Sequence, residues 1–550
     1  MKRFQNPVAA IAAFLLVVVT SAVSRAQTYS VLYNLGTKSG DPINPAWIGL
    51  FAQGRDGNLY STSQYGGADG YGAVFQLTPS GNMNVLHSFS NTSSDGAVPY
   101  AGLTLGTDGS LYGTTYYGGL GYGTVFKITT GGTFTLLHSF NGISEGELPV
   151  APPIQGADGN FYGTTSNGGG EVFGTVYKMT PSGSLTTLYT FDGTVRYPYA
   201  LTLGTDGNFY GTAGGGSTTP DGAVFKITPQ GKLTVLHSFS VTDGESPYGA
   251  IIQGTDGNFY GTTEKGGSGG FGVVYKMTPA GVVTDLRAFN EDDGLGISPW
   301  AGLVQATDGT FYGVAGTNFP PGAGLLFQIT STGTYTVLFN FTNLSGTYPG
   351  QGPLVSLFQN TNGILYGDTD GGGSGNIGCI TCGVLFSLNQ GLGPFVSLLP
   401  YSGKVGKTIE FLGQGFTGTT RVSFNGTAAS FKVVSDTYLT ATVPSGAKTG
   451  FVTVSTPGGA RTSNKTFRVT PQITTFDPPS GPVGTPVTIT GTGLAQTKTV
   501  TFGGVKATAF TVNSDTGVTA TVPTGAQTGK ISITTPGGTT ASTTNFTVTQ

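Results

Sequence analysis

Cysteine, histidine and charge are scarce in this chain: 2 Cys, 3 His and 9% charged residues in a length of 550. Two cysteines are too few to hold zinc by themselves. A helical period is missing as well, since no stretch beyond the N-terminal segment sustains one. The glycines sit at strand turns, so neither a phosphate-cradling loop nor a Gly-x-Ser-x-Gly nucleophile elbow is present. The apolar run at the N-terminus, Val8 to Val19, is too short to span a bilayer comfortably. Lys2 and Arg3 precede it and Ser24-Arg25-Ala26 follow, which reads as a secretory signal cut ahead of Gln27. Gln27 in place of cysteine excludes lipidation there, and the final TNFTVTQ has no stop-transfer character. The expectation is a bacterial product that is secreted or periplasmic, with no membrane insertion after cleavage.

What is abundant is glycine (94 residues) and the aromatic pair Phe and Tyr (35 and 25). That balance fits many short strands joined by tight turns rather than a disordered chain. The stretch GTDGNFYGTT at Gly254 to Thr263 has near-copies throughout the first two thirds of the chain, seven in all at spacings of 48 to 54 residues. Each repeat carries four strand-like runs, as in AGLTLG (Ala101), SLYGTTY (Ser110), GTVFKIT (Gly123) and TFTLLHSF (Thr133). Four strands repeated around an axis describe a β-propeller blade, here labelled A to D from the axis outward. Only six D strands follow their own C strand; the seventh is YSVLYNL at Tyr29 to Leu35, which predicts that the first strand closes the last of seven blades.

The repeated aspartate precedes a glycine between strands A and B, and Asp-Gly suits a tight hairpin because both residues tolerate positive φ. Its expected task is turning the chain, since a calcium loop needs several further oxygen ligands nearby. His87, His138 and His237 share one strand-D position that elsewhere holds Tyr33, Tyr189, Arg287 and Phe339. This exchange predicts a half-buried amphipathic slot rather than a metal ligand. The DGNFYGTT, GTVFKIT and LTVLHSF elements together resemble the Gloeobacter/Verrucomicrobia (GloVer) tandem repeat over most of Tyr29 to Leu388. That resemblance implies export and surface display more than any reaction, although no C-terminal sorting anchor of the kind common in that family is recognisable.

A different repeat follows. PFVSLLPYSGKVGKTIEFLGQGF at Pro394 aligns with PQITTFDPPSGPVGTPVTITGTGL at Pro471, and LTATVPSGAKTG at Leu439 with VTATVPTGAQTG at Val518. The units resemble IPT/TIG domains, which implies two immunoglobulin-like β-sandwiches. The expected organisation is a signal peptide at 1–26, a propeller at 27–393, and sandwiches at 394–470 and 471–550. The propeller segment has 10 basic against 23 acidic residues, a net of −13; the pair of sandwiches has 11 against 4, a net of +7. The sandwich lysines are spread rather than clustered, so a spacer is expected and nucleic acid is not.

The inner strands carry no ionisable side chain, which argues against catalysis in the channel. The D–A and B–C loops share one face and hold 16 of the 23 acids, including Asp243, Glu245, Asp292, Asp293, Asp368 and Asp370. Aromatic residues join them: Tyr100, Tyr199, Tyr248 and Trp300 where strand A begins, and Tyr116, Tyr117 and Tyr122 in a B–C loop. Rings that pack on sugar faces beside carboxylates that accept hydroxyl hydrogen bonds predict a non-catalytic binding or adhesion protein for carbohydrate or a cell-surface protein. Packing between blades is the competing fate of those rings, and a carbohydrate-active lyase or hydrolase is the alternative function. No cofactor is expected apart from a bridging Ca2+ ion on the acidic loops. Cys379 and Cys382 are expected to form a local disulfide in the seventh B–C loop.

Overall fold

The computed structural model describes residues 27–45, 51–215, 221–291, 294, 296–316, 323–342, 346–373 and 382–550. All regular structure among them is strand. Seven antiparallel sheets follow one another around the ring, each with strands A to D in order. In the third blade these are Ile154–Gln155, Phe161–Thr165, Thr175–Met179 and Leu185–Thr190. Strand B is buried along its length, strand C shows one half-buried position, and strand D is half exposed throughout. That gradient follows from covering both faces of the inner strands with neighbouring blades.

The Tyr-Gly pair of strand B serves this packing. Gly113 lies opposite Phe126, and a Cβ there would sit 2.5 Å from the tip of that ring. The preceding tyrosine stacks on the next blade: Tyr112 on Phe161 at 3.8 Å, and Tyr162 on Phe209, Tyr210 on Phe259 and Tyr260 on Phe311, all at 4.1 Å. Burying such a ring contributes about 2 kcal/mol. A second tie is polar. Gln155, Gln253, Gln305 and Gln359 each accept a hydrogen bond from the turn backbone of the preceding blade. Gln53 and Thr361 make the same contact across the closure.

Closure itself uses the first strand. Thr28–Asn34 pairs antiparallel with Val384–Asn389, so the D strand of the seventh blade comes from the other end of the chain. Tyr29 packs among Phe339, Tyr348 and Phe386 at 5.2 to 5.6 Å and donates to the Pro349 carbonyl at 2.6 Å.

The Asp-Gly hairpins differ from the expected geometry. Only the glycine takes positive φ (82° at Gly57, 84° at Gly109); the aspartate does not. The Gly57 N–H donates back to Gly54, and the Gly54 N–H to Asn58, which is a three-residue loop with one left-handed glycine. The aspartate has a further task. Asp256 Oδ1 accepts from the Asn258 N–H, and Oδ2 accepts from Asn258 Nδ2 and the Tyr260 hydroxyl, so the turn is tied to strand B.

Two β-sandwiches follow, each with its own core. The first docks on the A–B turns of blades 1, 2 and 7. Arg55 donates to both Glu410 carboxylate oxygens at 3.0 and 2.7 Å, and its guanidinium lies 4.9 Å from the Tyr438 ring centre. Thr437 donates to the Arg55 carbonyl, Gln414 to Thr361, and Leu412 joins the core of blades 1 and 2. One propeller face is thereby partly covered by the chain itself.

Candidate ligand-binding face

The opposite face is built from interlaced D–A and B–C loops. Each D–A loop ends in a proline, and the residue before it adopts positive φ: 52° at Val98, 58° at Leu148, 57° at Tyr197 and Ser246, and 47° at Ser298. Each such conformation costs about 1–3 kcal/mol. A hydrogen bond offsets it in every case, because these N–H groups donate to the B–C loop carbonyls of Tyr71, Tyr122, Phe173, Asp221 and Phe271 respectively.

The histidine slot holds the same loops. His87 stacks on Phe134 at 4.0 Å and bonds Asp95 at 3.0 Å; His138 bonds Glu145 at 3.1 Å and His237 bonds Asp243 at 2.8 Å. The slot is half-buried, as its exchange with Tyr and Arg suggests, but its acid partner in the following D–A loop was not anticipated. The spacing of six to eight residues was the available signal. Asp243 Oδ1 is also taken, by the N–H and hydroxyl of Ser240. Burial raises the Asp243 pKa, but the Ser240 and His237 hydrogen bonds outweigh it and hold the carboxyl low. The structure therefore employs Asp243 to fold its loop, with both oxygens engaged.

The aromatic residues gather into two groups. Tyr100 lies 4.8 Å from Tyr116, which meets Tyr117 edge-on at 4.7 Å. Tyr199 meets Tyr248 edge-on at 5.0 Å, and Tyr248 stacks on Trp300 at 5.2 Å with the planes 15° apart. Tyr122 stands apart, its ring over Gly142. The strand-B tyrosines stack blade on blade inside the ring; at the mouth Tyr199, Tyr248 and Trp300, from blades 4, 5 and 6, also pack from blade to blade, and these rings stay half-buried or exposed. Among the described residues, ten of the 13 exposed large apolar side chains of the propeller lie on this face, including Tyr71, Leu120, Ile143, Val172 and Trp300.

Acids belong to the same face of the propeller. Glu264 is 7% exposed, and its Oε2 has no hydrogen-bond partner. Burial raises its pKa, Lys265 opposes that, and Glu245 adds to it. Glu245 is itself raised, first by burial and then by Asp221. Asp368 needs a correction: it belongs to strand B of blade 7, not to the B–C loop, and it is buried. It stands where Thr62, Thr114 and Thr262 bond the next blade's inner-strand carbonyls. Burial, and then the neighbouring Asp370, push its pKa well above the usual carboxylate range. Asp370 accepts from Asn44 at 3.0 Å.

Asp292, Asp293 and Cys379 lie outside the described residues. Cys382 is disulfide-bonded. Among the described residues no group of three or more His, Cys, Asp or Glu is placed to hold a metal ion, and no helix is long and apolar enough to cross a membrane. A cleft of about 310 Å³ between the turns of blades 5 and 6, lined by Asp256, Gln305, Asp308 and Thr330, lies on the other face and contains no ring.

Comparison with solved structures finds distant likenesses. A fungal alcohol oxidase of the AA5 family in complex with copper matches 80% of this chain and 100% of its own, at 15% identity and a TM-score of 0.41. A putative 6-phosphogluconolactonase from Bacteroides uniformis matches 58% and 92%, at 16% and 0.38. A surface glycan-binding protein from Prevotella bryantii matches 28% and 38%, at 18% and 0.21. Likeness at this level says nothing about ligand. No curated protein matches the sequence. Family comparison is decisive instead: the Gloeobacter/Verrucomicrobia repeat matches residues 17–202 and 197–431, and the IPT/TIG domain matches 395–469 and 471–548. The chain belongs to the Gloeobacter/Verrucomicrobia repeat family and carries two IPT/TIG domains behind a seven-bladed propeller.

Proposed function

We propose that this is an exported binding protein whose D–A/B–C loop face recognises carbohydrate, with the IPT/TIG pair as a spacer. One observation carries the reading. The first sandwich docks on the opposite face, while the described residues of the loop face include ten exposed apolar side chains and a half-buried set of aromatic rings. Exposed apolar surface concentrated in one place marks an interaction site. Aromatic rings beside carboxylates suit sugars, which present an apolar face and hydroxyl donors. A cell-surface protein is the second partner this surface fits. A carbohydrate-active enzyme is the second function, favoured by the buried Asp368 beside Asp370.

A glycan array with the isolated mature protein tests the proposal, with Trp300→Ala and Tyr248→Ala as companions. Binding lost in both variants at an unchanged melting temperature supports a site on this face. A fall in melting temperature with binding retained would make the rings structural. Shortened glycans after incubation would favour the enzyme.

A further inference from the structure

The exposed apolar side chains of the loop face gather on one side of it. Among the described residues, eight of the ten lie between blade 1 and the loop that enters blade 4, with Val241 and Trp300 beyond. The most exposed are aliphatic and come from three successive loops: Leu120 at 65%, Ile143 at 77% and Val172 at 64%. Short contacts join the loops that carry them. Val98 donates to the Tyr71 carbonyl and accepts from the Tyr116 N–H, and Tyr117 pairs with Ala97. The Tyr122 ring lies against Gly142, beside Ile143, and Gly142 accepts from Gly169, three residues before Val172. Phe173 in turn accepts from the Tyr197 N–H. Eight side chains with about 100 Å² of accessible surface each give a patch on the order of 800 Å², which is what one partner of a standard interface buries.

Charge selects the occupant. The loops from Lys38 to Tyr197 on this face hold seven acids against two bases, Lys38 and Arg196, a net of −5. The first sandwich has the opposite sign, with eight bases against Glu410 and Asp436, a net of +6. Glu410 is turned to its own propeller and bound by Arg55, so five exposed bases and one exposed acid remain outward. The edge strand Phe431–Ser435 presents a base and an apolar side chain together, Lys432 and Val434, both exposed. One chain cannot bring the two surfaces together. Its first sandwich is fixed to the opposite propeller face and tied at its other end to the second sandwich, where Gly446 and Thr449 donate to Asp515 and Gln496. Two loop patches set face to face would oppose −5 to −5, and like charges across a contact cost several kcal/mol. A patch set on the first sandwich of another copy opposes −5 to +6.

We propose that the loop patch of blades 1 to 3 docks the first sandwich of a second copy of this chain. Patch and sandwich are different surfaces, so the contact is head-to-tail and every copy keeps one of each to offer. Assembly therefore continues into a row or a ring. The proposal goes beyond the carbohydrate reading and does not rest on it, since the Tyr248–Trp300 pair of blades 5 and 6 is outside the patch.

Sedimentation velocity on the full mature chain tests this. Between about 1 and about 100 μM the weight-average mass is expected to rise with concentration. Going from about 0.1 to about 1 M sodium chloride, where the screening length falls from about 10 to about 3 Å, should weaken the association at least about 10-fold. Two variants should be monomeric at unchanged melting temperature. One is Leu120→Lys with Ile143→Lys, which spoils the patch at its most exposed positions. The other is Lys404→Glu with Arg421→Glu and Lys432→Glu, which brings the first sandwich from +6 to 0. Mixed in equal amounts, the two should form a 1:1 dimer and stop there, because each keeps the surface that the other has lost. A wild type that stays monomeric over the whole concentration range would overturn the proposal, whatever the variants do. Folded variants that remain monomeric when mixed would overturn it too. Association that strengthens with salt, or that survives the sandwich charge reversals, would replace it by face-to-face pairing of loop patches.

Discussion

Removing the Tyr29 ring tests whether the ring of blades is held shut by its first strand. The side chain is partly buried among Phe339, Phe341, Tyr348 and Phe386 and donates to the Pro349 carbonyl. Burial of a ring to this extent contributes about 2 kcal/mol. Its edge-to-face contacts add about 1 kcal/mol. Tyr29→Ala should therefore cost about 3 kcal/mol. For a domain of this size the unfolding entropy is about 2 cal/mol/K per residue, so the propeller transition should fall by about 4 °C in differential scanning calorimetry. Ser30→Ala, an exposed neighbour on the same strand, is the control and should leave it unchanged. Deleting residues 27 to 36 goes further, because it uncovers the six ladder positions from Val384 to Asn389 as a bare edge. That protein should aggregate or melt without cooperativity. A Tyr29→Ala transition within about 1 °C of wild type, with the deletion still monomeric, would refute closure by the first strand as a source of stability.

Arg55→Ala should loosen the propeller from the first sandwich by about 2 kcal/mol, since it strands the half-buried Glu410 carboxylate without its partner. The check is small-angle scattering, where a larger radius of gyration is expected and an unchanged one counts against the docking contact. Asp256 gives a pH test. Burial raises its pKa, but Asn258, Tyr260 and Lys276 outweigh that and bring it from 3.8 to about 2. A depressed folded-state value means stability present above about pH 4 and lost as pH falls toward 2. Because the group is over a third exposed, screening leaves about 1 kcal/mol. Asp256→Asn should be destabilised by that amount at pH 7 and match wild type near pH 2; a gap that persists in acid would contradict the sign.

The architecture was legible because it is repeated. Six Asp-Gly turns and one Asn-Gly turn, seven C strands and a spare D-like strand at the N-terminus leave little choice of closure, and the paired ladder from Thr28 follows that count. Contacts between unlike elements were not legible. Arg55 and Glu410 are 355 residues apart, and nothing in either neighbourhood names the other. Turn geometry was misread for a local reason: Asp-Gly fits two hairpin types, and the choice depends on the residue before the aspartate, which here begins a turn rather than ending a strand. Asp368 was misplaced because an aspartate after Tyr-Gly looks like the start of a loop, whereas the strand continues to Thr369.

Repetition also explains where specificity can reside. A ring of identical blades offers seven equivalent mouths, so a single ligand requires the repeats to differ somewhere. The strand-B core is nearly invariant within the chain: Tyr60, Tyr112, Tyr162, Tyr210, Tyr260, Tyr312 and Tyr366 occupy one position, because each packs the same inter-blade space. Six residues beyond the Asp-Gly glycine plus one more step, the chain reaches the mouth, and there the residues are Gln64, Tyr116, Ser166, Gly214, Glu264, Gly316 and Asp370. Packing does not force this variety, since Gly214 merely makes room for the Tyr199 ring while Gln64 and Ser166 bond nearby loop carbonyls. Two carboxylates, one ring, two amide or hydroxyl groups and two gaps give the face an asymmetric chemistry on a symmetric frame. The frame determines that there is a mouth; these seven side chains determine what it can hold.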